Sequence, residues 1–125
     1  MKHRIMVVDD SRVVYAEMSK MLADSDLEIA KYCRSGEEAL ASYESVQPEV
    51  VTMDIVMPGM DGLETCSELV SRWPDARVLM VSSLAYNDTI STAAAVGAKG
   101  FVFKPFDREM LLDALQKALA GETVG

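Results

Sequence analysis

Short apolar runs alternate with amphipathic stretches along the whole chain. The runs are rich in valine, isoleucine and leucine and are bounded by polar residues, glycine or proline, which is typical of buried strands. They predict strands at residues 5–8, 27–33, 49–53, 77–81 and 101–103. The stretches after them carry apolar residues at helical spacing, as at Val14, Met18, Met21 and Leu22. The pattern therefore predicts five strand–helix units.

Caps and helix-stopping residues indicate where the helices begin and end. Ser11 and Asp107 can accept hydrogen bonds from early backbone N–H groups of the first and last helices. Proline and glycine stop the helices before them. On this basis the second helix opens at Ser35-Gly36, the third spans 63–73 before Pro74, the fourth spans 87–96 before Gly97, and the last carries Leu111, Leu115 and Leu119.

Strands that alternate with helices indicate an α/β fold with a doubly wound parallel sheet covered on both faces. A length of 125 residues suits one core, so we expect a single domain over residues 1–125. In such sheets ligands bind outside the carboxyl ends of the strands, where the strand order reverses. The predicted strand ends are therefore the place to look for chemistry.

Polar residues follow four of the predicted strands. Asp9 and Asp10 end the first strand, Asp54 the third, Ser82 the fourth and Lys104 the fifth. Taken singly, the aspartates after the first strand, Ser82 and Lys104 have ordinary interpretations as a helix cap, a turn residue or a solvated charge. Asp54 is harder to explain in this way, because a strand end in this fold faces the crevice. Their joint placement at one sheet edge favours a functional site, since adjacent carboxylates repel each other and a bound cation relieves the conflict.

Carboxylates and a backbone carbonyl are hard oxygen ligands, so the predicted metal is Mg²⁺, with Mn²⁺ as an alternative. A carboxylate can also attack phosphorus and form an acyl phosphate. Because phosphoryl transfer depends on positioning and on neutralising negative charge, the Lys104 ammonium and the Ser82 hydroxyl fit as phosphoryl-oxygen partners.

Four segments together resemble the response-regulator receivers, including the stand-alone CheY-like chemotaxis proteins. They are IMVVDD at 5–10, VTMDIVMPGMDG at 51–62, VLMVSS at 78–83 and GFVFKPF at 100–106. The resemblance spans the chain and implies a flavodoxin-like (βα)5 fold with a five-stranded parallel sheet of order 2-1-3-4-5. It also implies a phosphoacceptor switch of a two-component system that catalyses its own phosphorylation and dephosphorylation.

The resemblance also implies roles for individual residues. Asp54 is the implied phosphoacceptor. Asp10, Asp54 and the Val56 carbonyl are implied direct Mg²⁺ ligands, with Asp9 acting through water. The resemblance implies that Lys104 and Ser82 bind the phosphoryl group and that the Lys104–Pro105 bond is cis. Phe101 stands at the aromatic switch position.

The implied partners are a sensor histidine kinase, which donates the phosphoryl group from a phosphohistidine, and a downstream protein such as the flagellar switch or another effector. The surface of the fourth helix, fifth strand and fifth helix is the implied output face. Val56 and Leu84 depart from many relatives, which have polar residues there in contact with the attacking water. We expect these apolar side chains to slow hydrolysis of the acyl phosphate.

Composition narrows the function further. The net charge of −8 argues against nucleic-acid binding. Cys33 and Cys66 lack metal-ligand spacing, so we expect reduced thiols. The first apolar run is too short for a signal peptide, and no stretch approaches the ~18 apolar residues of a membrane span. We therefore expect a cytoplasmic monomer, with His3 on the surface before the first strand and Trp73 packed at a helix end.

The sequence fits several rival functions less well. An aspartate-nucleophile phosphatase needs a second aspartate two residues after the nucleophile, where Val56 cannot transfer a proton. No G-x-G-x-x-G or Walker loop supports nucleotide binding. A pseudo-receiver that only binds partners is excluded only if Asp54 reacts. A receiver fragment of a larger regulator, such as a chemotaxis methylesterase or a transcription factor, remains the alternative.

Overall fold

The structure, a computed structural model, describes residues 2–84 and 86–121. Strands and helices alternate throughout this part of the chain. The strands are β1 (His3–Val8), β2 (Leu27–Cys33), β3 (Val50–Met53), β4 (Val78–Ser82) and β5 (Gly100–Phe103). The helices are α1 (Arg12–Leu22), α2 (Gly36–Val46), α3 (Gly62–Arg72), α4 (Asn87–Ala95) and α5 (Arg108–Leu119).

The five strands form one parallel sheet in the order β2-β1-β3-β4-β5, which confirms the predicted fold class. The chain passes from β1 outward to β2 and then returns past β1 to β3. This reversal places the carboxyl ends of β1 and β3 side by side, as in the pairing of Val8 with Met53. A crevice outside these two strand ends is the expected ligand site.

Two apolar layers cover the sheet, one on each face. Along β1, Ile5 and Val7 face the layer formed with α1 and α5, while Met6 and Val8 face the layer formed with α2, α3 and α4. This alternation follows from the two-residue period of a strand. Because both faces of the sheet are buried, the strand sequences are largely continuous apolar runs.

Side-chain caps set the starts of four helices. Ser11, Ser35, Asp61 and Asp107 each accept a hydrogen bond from the backbone N–H three residues later. The predicted caps at Ser11 and Asp107 are thus confirmed. Gly97 ends α4 with φ of 103°, a conformation that favours glycine.

Most predicted boundaries differ from the structure by one or two residues. β3 begins at Val50, α3 spans Gly62–Arg72, and β4 includes Ser82. Trp73 caps the end of α3 and packs on Tyr43, with ring centroids 4.6 Å apart, as expected for a residue at a helix end.

The prediction that His3 precedes the first strand was wrong. His3 is the first residue of β1, because it pairs with Leu27 and its N–H donates to the Asp26 carbonyl. It is half-buried there, and its Nδ1 lies 3.1 Å from a Glu49 carboxylate oxygen.

Both cysteines are free and buried, in agreement with the expected thiols. Within the residues described, no helix combines the length and apolarity needed to cross a bilayer.

Candidate functional site

The end of the sheet brings three carboxylates together. Asp9 follows β1 and Asp54 follows β3, and the Asp54 N–H donates to the Val8 carbonyl at 2.9 Å. One carboxylate oxygen from each of Asp9, Asp10 and Asp54 lies within 4.8 Å of the others. Asp9 and Asp54 are buried, and Asp10 is partly exposed. Residues 44 positions apart thus form one acidic cluster, as the strand ends predicted.

Lys104 reaches this cluster from the end of β5. Its Nζ lies 2.9 Å from Asp9 Oδ2 and 3.6 Å from Asp54 Oδ2. Its backbone N–H donates to the Ser82 carbonyl, and its bond to Pro105 is cis, as the resemblance implied. The sequence offered no sign that Lys104 would pair more closely with Asp9 than with Asp54.

Asp54 is an unusual carboxyl group. Burial, together with the neighbouring Asp9, raises its pKa from 3.8 to about 6, although Lys104 opposes the shift. The site therefore holds three carboxylates, two of them buried, and one lysine, which pairs with Asp9 and Asp54. Such a site has an excess of negative charge that a divalent cation would neutralise, and its all-oxygen donors suit Mg²⁺. The residues present therefore fit the implied metal.

The two adjacent aspartates are not equivalent. Asp9 Oδ1 accepts a hydrogen bond from the Ser11 N–H at 2.9 Å, and Asp9 Oδ2 accepts one from Lys104. Both Asp9 oxygens are therefore engaged, while Asp10 makes no side-chain hydrogen bond within the described residues. This difference is consistent with a direct metal-ligand role for Asp10 and an indirect one for Asp9.

The loop after Asp54 is held tightly against the sheet. The Gly62 N–H donates to the Ile55 carbonyl at 2.8 Å. A Cβ atom at position 62 would collide with the Asp54 carbonyl oxygen, so only glycine fits there. The helix predicted over 63–73 left Gly62 outside α3, and the Asp-Gly pair before the amphipathic stretch was the only sequence signal for this position. In the same loop, Val56 is 60% exposed.

Ser82 ends β4, and Phe101 lies within the neighbouring strand β5. Ser82 is buried at the end of β4, and its hydroxyl accepts a hydrogen bond from the Leu84 N–H at 3.2 Å. Phe101 is half-buried in β5 and lines a cavity of about 50 Å³ with α4 residues that include Ile90 and Ala94. The structure thus places the serine at the predicted edge and leaves space next to the aromatic ring.

Comparisons with known proteins agree with this architecture. The family model for the response regulator receiver domain matches residues 5–116. The chemotaxis protein CheY of Listeria monocytogenes is 36% identical over 115 residues, which cover 92% of this chain and 97% of that protein. CheY of Bacillus subtilis is 34% identical over 119 residues, covering 95% and 99% of the two chains.

A solved structure extends the agreement to three dimensions. A chain of the CheX–CheY–BeF3–Mg²⁺ complex from Borrelia burgdorferi superposes with a TM-score of 0.88 at 30% identity. The match covers 92% of this chain and 87% of that chain. With the family model, the nearly full-length relatives and the acidic cluster in agreement, the chain belongs to the response-regulator receiver family and is a CheY-like receiver domain.

Proposed function

We propose that Asp54 accepts a phosphoryl group from the phosphohistidine of a sensor histidine kinase, and that the modification switches a protein-binding surface. The observation that carries this proposal is the position of Asp54, a buried carboxyl group at the centre of an acidic cluster and within 3.6 Å of the Lys104 ammonium. The wider assignment of the chain to the two-component receivers supports it.

The reaction follows from these groups. An Asp54 carboxylate oxygen attacks phosphorus, the phosphorus–nitrogen bond of the phosphohistidine breaks, and the imidazole leaves with the electron pair and takes up a proton. Asp10, Asp54 and the Val56 carbonyl would hold Mg²⁺, with Asp9 acting through water, and the metal supplies positive charge to the transferred group. Lys104 neutralises a second phosphoryl oxygen, and the Ser82 hydroxyl donates to a third.

The switch follows from the movement of Ser82. When its hydroxyl turns to the phosphoryl group, it gives up its hydrogen bond with the Leu84 N–H and leaves space beside α4. Phe101 then rotates toward the cavity that it already lines. The surface of α4, β5 and α5, where Phe103 and Met110 are exposed, changes shape as a result.

A downstream protein binds the surface of α4, β5 and α5. Relatives of nearly full length are chemotaxis proteins, and one is solved in a complex with CheX. The flagellar switch or another chemotaxis effector is therefore the proposed class of target. The chain acts as a switch that promotes its own phosphorylation and dephosphorylation and turns over no external substrate.

Acetyl phosphate with Mg²⁺ tests the central step. Intact-mass measurement should show one added phosphoryl group on the wild type and none on Asp54→Asn. Asp75→Asn, a substitution on the exposed surface, serves as the matched control and should be labelled normally. A folded wild-type sample that gains no mass, or a label that persists in Asp54→Asn, would refute the proposal.

A further inference from the structure

A pocket that combines aromatic and cationic side chains lies beside the acidic cluster and takes no part in the proposed chemistry. It has a volume of about 340 Å³ and is lined by Arg12, Tyr15, Tyr32, Arg34 and Glu38. The two tyrosine rings stack in parallel, with centroids 4.3 Å apart and an angle of 5° between their planes. Arginine and tyrosine are the residue types most enriched in protein interfaces, so this composition suggests a docking site.

Neither arginine has an acidic partner among the described residues. Neither guanidinium has a carboxylate within 4.0 Å or a hydrogen bond to a backbone carbonyl among residues 2–84 and 86–121. Glu38 does not neutralise them, because it accepts a hydrogen bond from the Arg34 backbone N–H and lies 3.9 Å from the Lys31 ammonium. Neither guanidinium charge is therefore neutralised by an ion pair among the described residues.

Local stability does not explain the position of Arg12. It is the first residue of α1, where the partial positive charge of a helix N-terminus disfavours a cation, and the first turn holds no acidic residue. A residue that opposes a local preference without a compensating contact is a common sign of function.

The pocket lies at the same edge of the sheet as Asp54. Arg12 follows Asp10 by two residues, and Arg34 follows Cys33, the last residue of β2, which pairs with Val8. The charges of Arg34, Asp9 and Arg12 all act on the pKa of Tyr32, which burial raises. Two exposed apolar side chains, Val13 and Val56, lie on the same edge. Any protein that delivers a phosphoryl group to Asp54 must cover this part of the surface.

We propose that the Arg12–Arg34 pocket binds an acidic side chain of the phosphodonor protein while its phosphohistidine reaches Asp54. The inference rests on the proposed function and adds a recognition element to it. A guanidinium can bind a carboxylate through two hydrogen bonds, and the Tyr32 hydroxyl supplies a further donor. Because the rest of the chain is acidic and repels such a donor, the two arginines fix its orientation.

Comparing protein and small-molecule donors tests this proposal. The probes are phosphotransfer domains of chemotaxis-type histidine kinases, phosphorylated on histidine, and acetyl phosphate, which needs no docking. The variant is Arg12→Gln/Arg34→Gln. The matched control is Lys2→Gln/Lys20→Gln, which removes the same charge from two exposed positions at the opposite edge of the sheet. Initial rates are measured as a function of donor and salt concentration.

We expect the arginine variant to lose at least about fivefold in kcat/KM with the protein donor, together with most of its salt dependence. Its rate with acetyl phosphate should equal that of the wild type, and the lysine control should behave as the wild type with both donors. Unchanged transfer from the protein donor would overturn the inference. An equal loss of rate with both donors would also overturn it. The same holds if acetyl phosphate labels the wild type and no protein donor does. If the wild type resists acetyl phosphate as well, the proposed function itself fails.

Discussion

At the scale of single residues, the buried carboxylate of Asp54 lowers the free energy of unfolding. A carboxylate in this position has lost most of its contact with water and lies beside Asp9, and Lys104 compensates only partly. Its pKa of about 6 means that the folded protein holds the Asp54 proton at pH values where the unfolded chain has released it. The free energy of unfolding therefore falls as the pH rises from about 4 to 6.

Removing the charge should recover this loss. Without divalent metal, we expect Asp54→Asn to raise the free energy of unfolding by about 1–3 kcal/mol at pH 7.5. The difference should vanish near pH 4, where Asp54 is protonated in both the folded and the unfolded state. Urea denaturation at the two pH values measures it, with Asp75→Asn as the surface control. Equal stabilities of wild type and Asp54→Asn at pH 7.5 would contradict the expected cost of the buried charge.

The resemblance to the receiver family implies that Val56 and Leu84 stand at positions where many members carry polar residues. Val56 is exposed two residues after Asp54, and its apolar side chain offers no hydrogen bond to an attacking water. We expect Val56→Asn/Leu84→Glu to shorten the lifetime of the acyl phosphate by roughly tenfold, since side chains that position water typically act at this scale or above. The decay of intact mass after removal of the phosphodonor measures the lifetime. An unchanged or longer lifetime would show that these positions do not control hydrolysis.

At the scale of elements, the connection between β3 and α3 positions Asp54. The backbone of Gly62 lies against the Asp54 carbonyl, and the Asp61 side chain caps α3 by accepting a hydrogen bond from the Glu64 N–H. The start of a helix is thus packed directly onto the end of the strand that precedes Asp54, the proposed phosphoacceptor. This contact needs a residue without a Cβ atom.

Adding one methyl group should disturb both the fold and the site. We expect Gly62→Ala to lower the free energy of unfolding by about 2–3 kcal/mol, because the backbone must shift to relieve the clash. Labelling by acetyl phosphate should slow as Asp54 moves. Thermal denaturation and intact mass measure the two effects, and Ser67→Ala on the exposed side of α3 is the control. Wild-type stability in Gly62→Ala would mean that the loop relaxes without cost.

At the scale of the whole molecule, the site exists only when the sheet is complete. Asp9 and Asp10 follow β1, Asp54 follows β3, and Lys104 follows β5. The unfolded chain does not hold these groups together, so a cation that binds the cluster favours the folded state. Metal binding and global stability are therefore linked through the sheet topology.

Magnesium should stabilise the protein through this cluster. With about 10 mM Mg²⁺ and a dissociation constant near 1 mM, we expect the free energy of unfolding to rise by about 1.4 kcal/mol and Tm by a few degrees. The increase should be smaller in Asp10→Asn and Asp54→Asn than in the wild type. Differential scanning calorimetry at matched ionic strength measures it. An increase of the same size in all three proteins would place the effect outside the acidic cluster.

The sequence determined the elements and the residue types of the site, because both depend on local pattern. Apolar runs of strand length, the caps at Ser11 and Asp107, and polar residues directly after the runs were all visible without coordinates. Tertiary structure alone decided the distances. It paired Lys104 more closely with Asp9 than with Asp54, made position 62 intolerant of a side chain, and joined Arg12 with Arg34 in one pocket. The physical reason is that Lys104 and Asp9, like Arg12 and Arg34, follow different strands that crossover connections bring together, and that the clash at Gly62 depends on how the β3–α3 loop packs on the sheet. No local pattern records this packing.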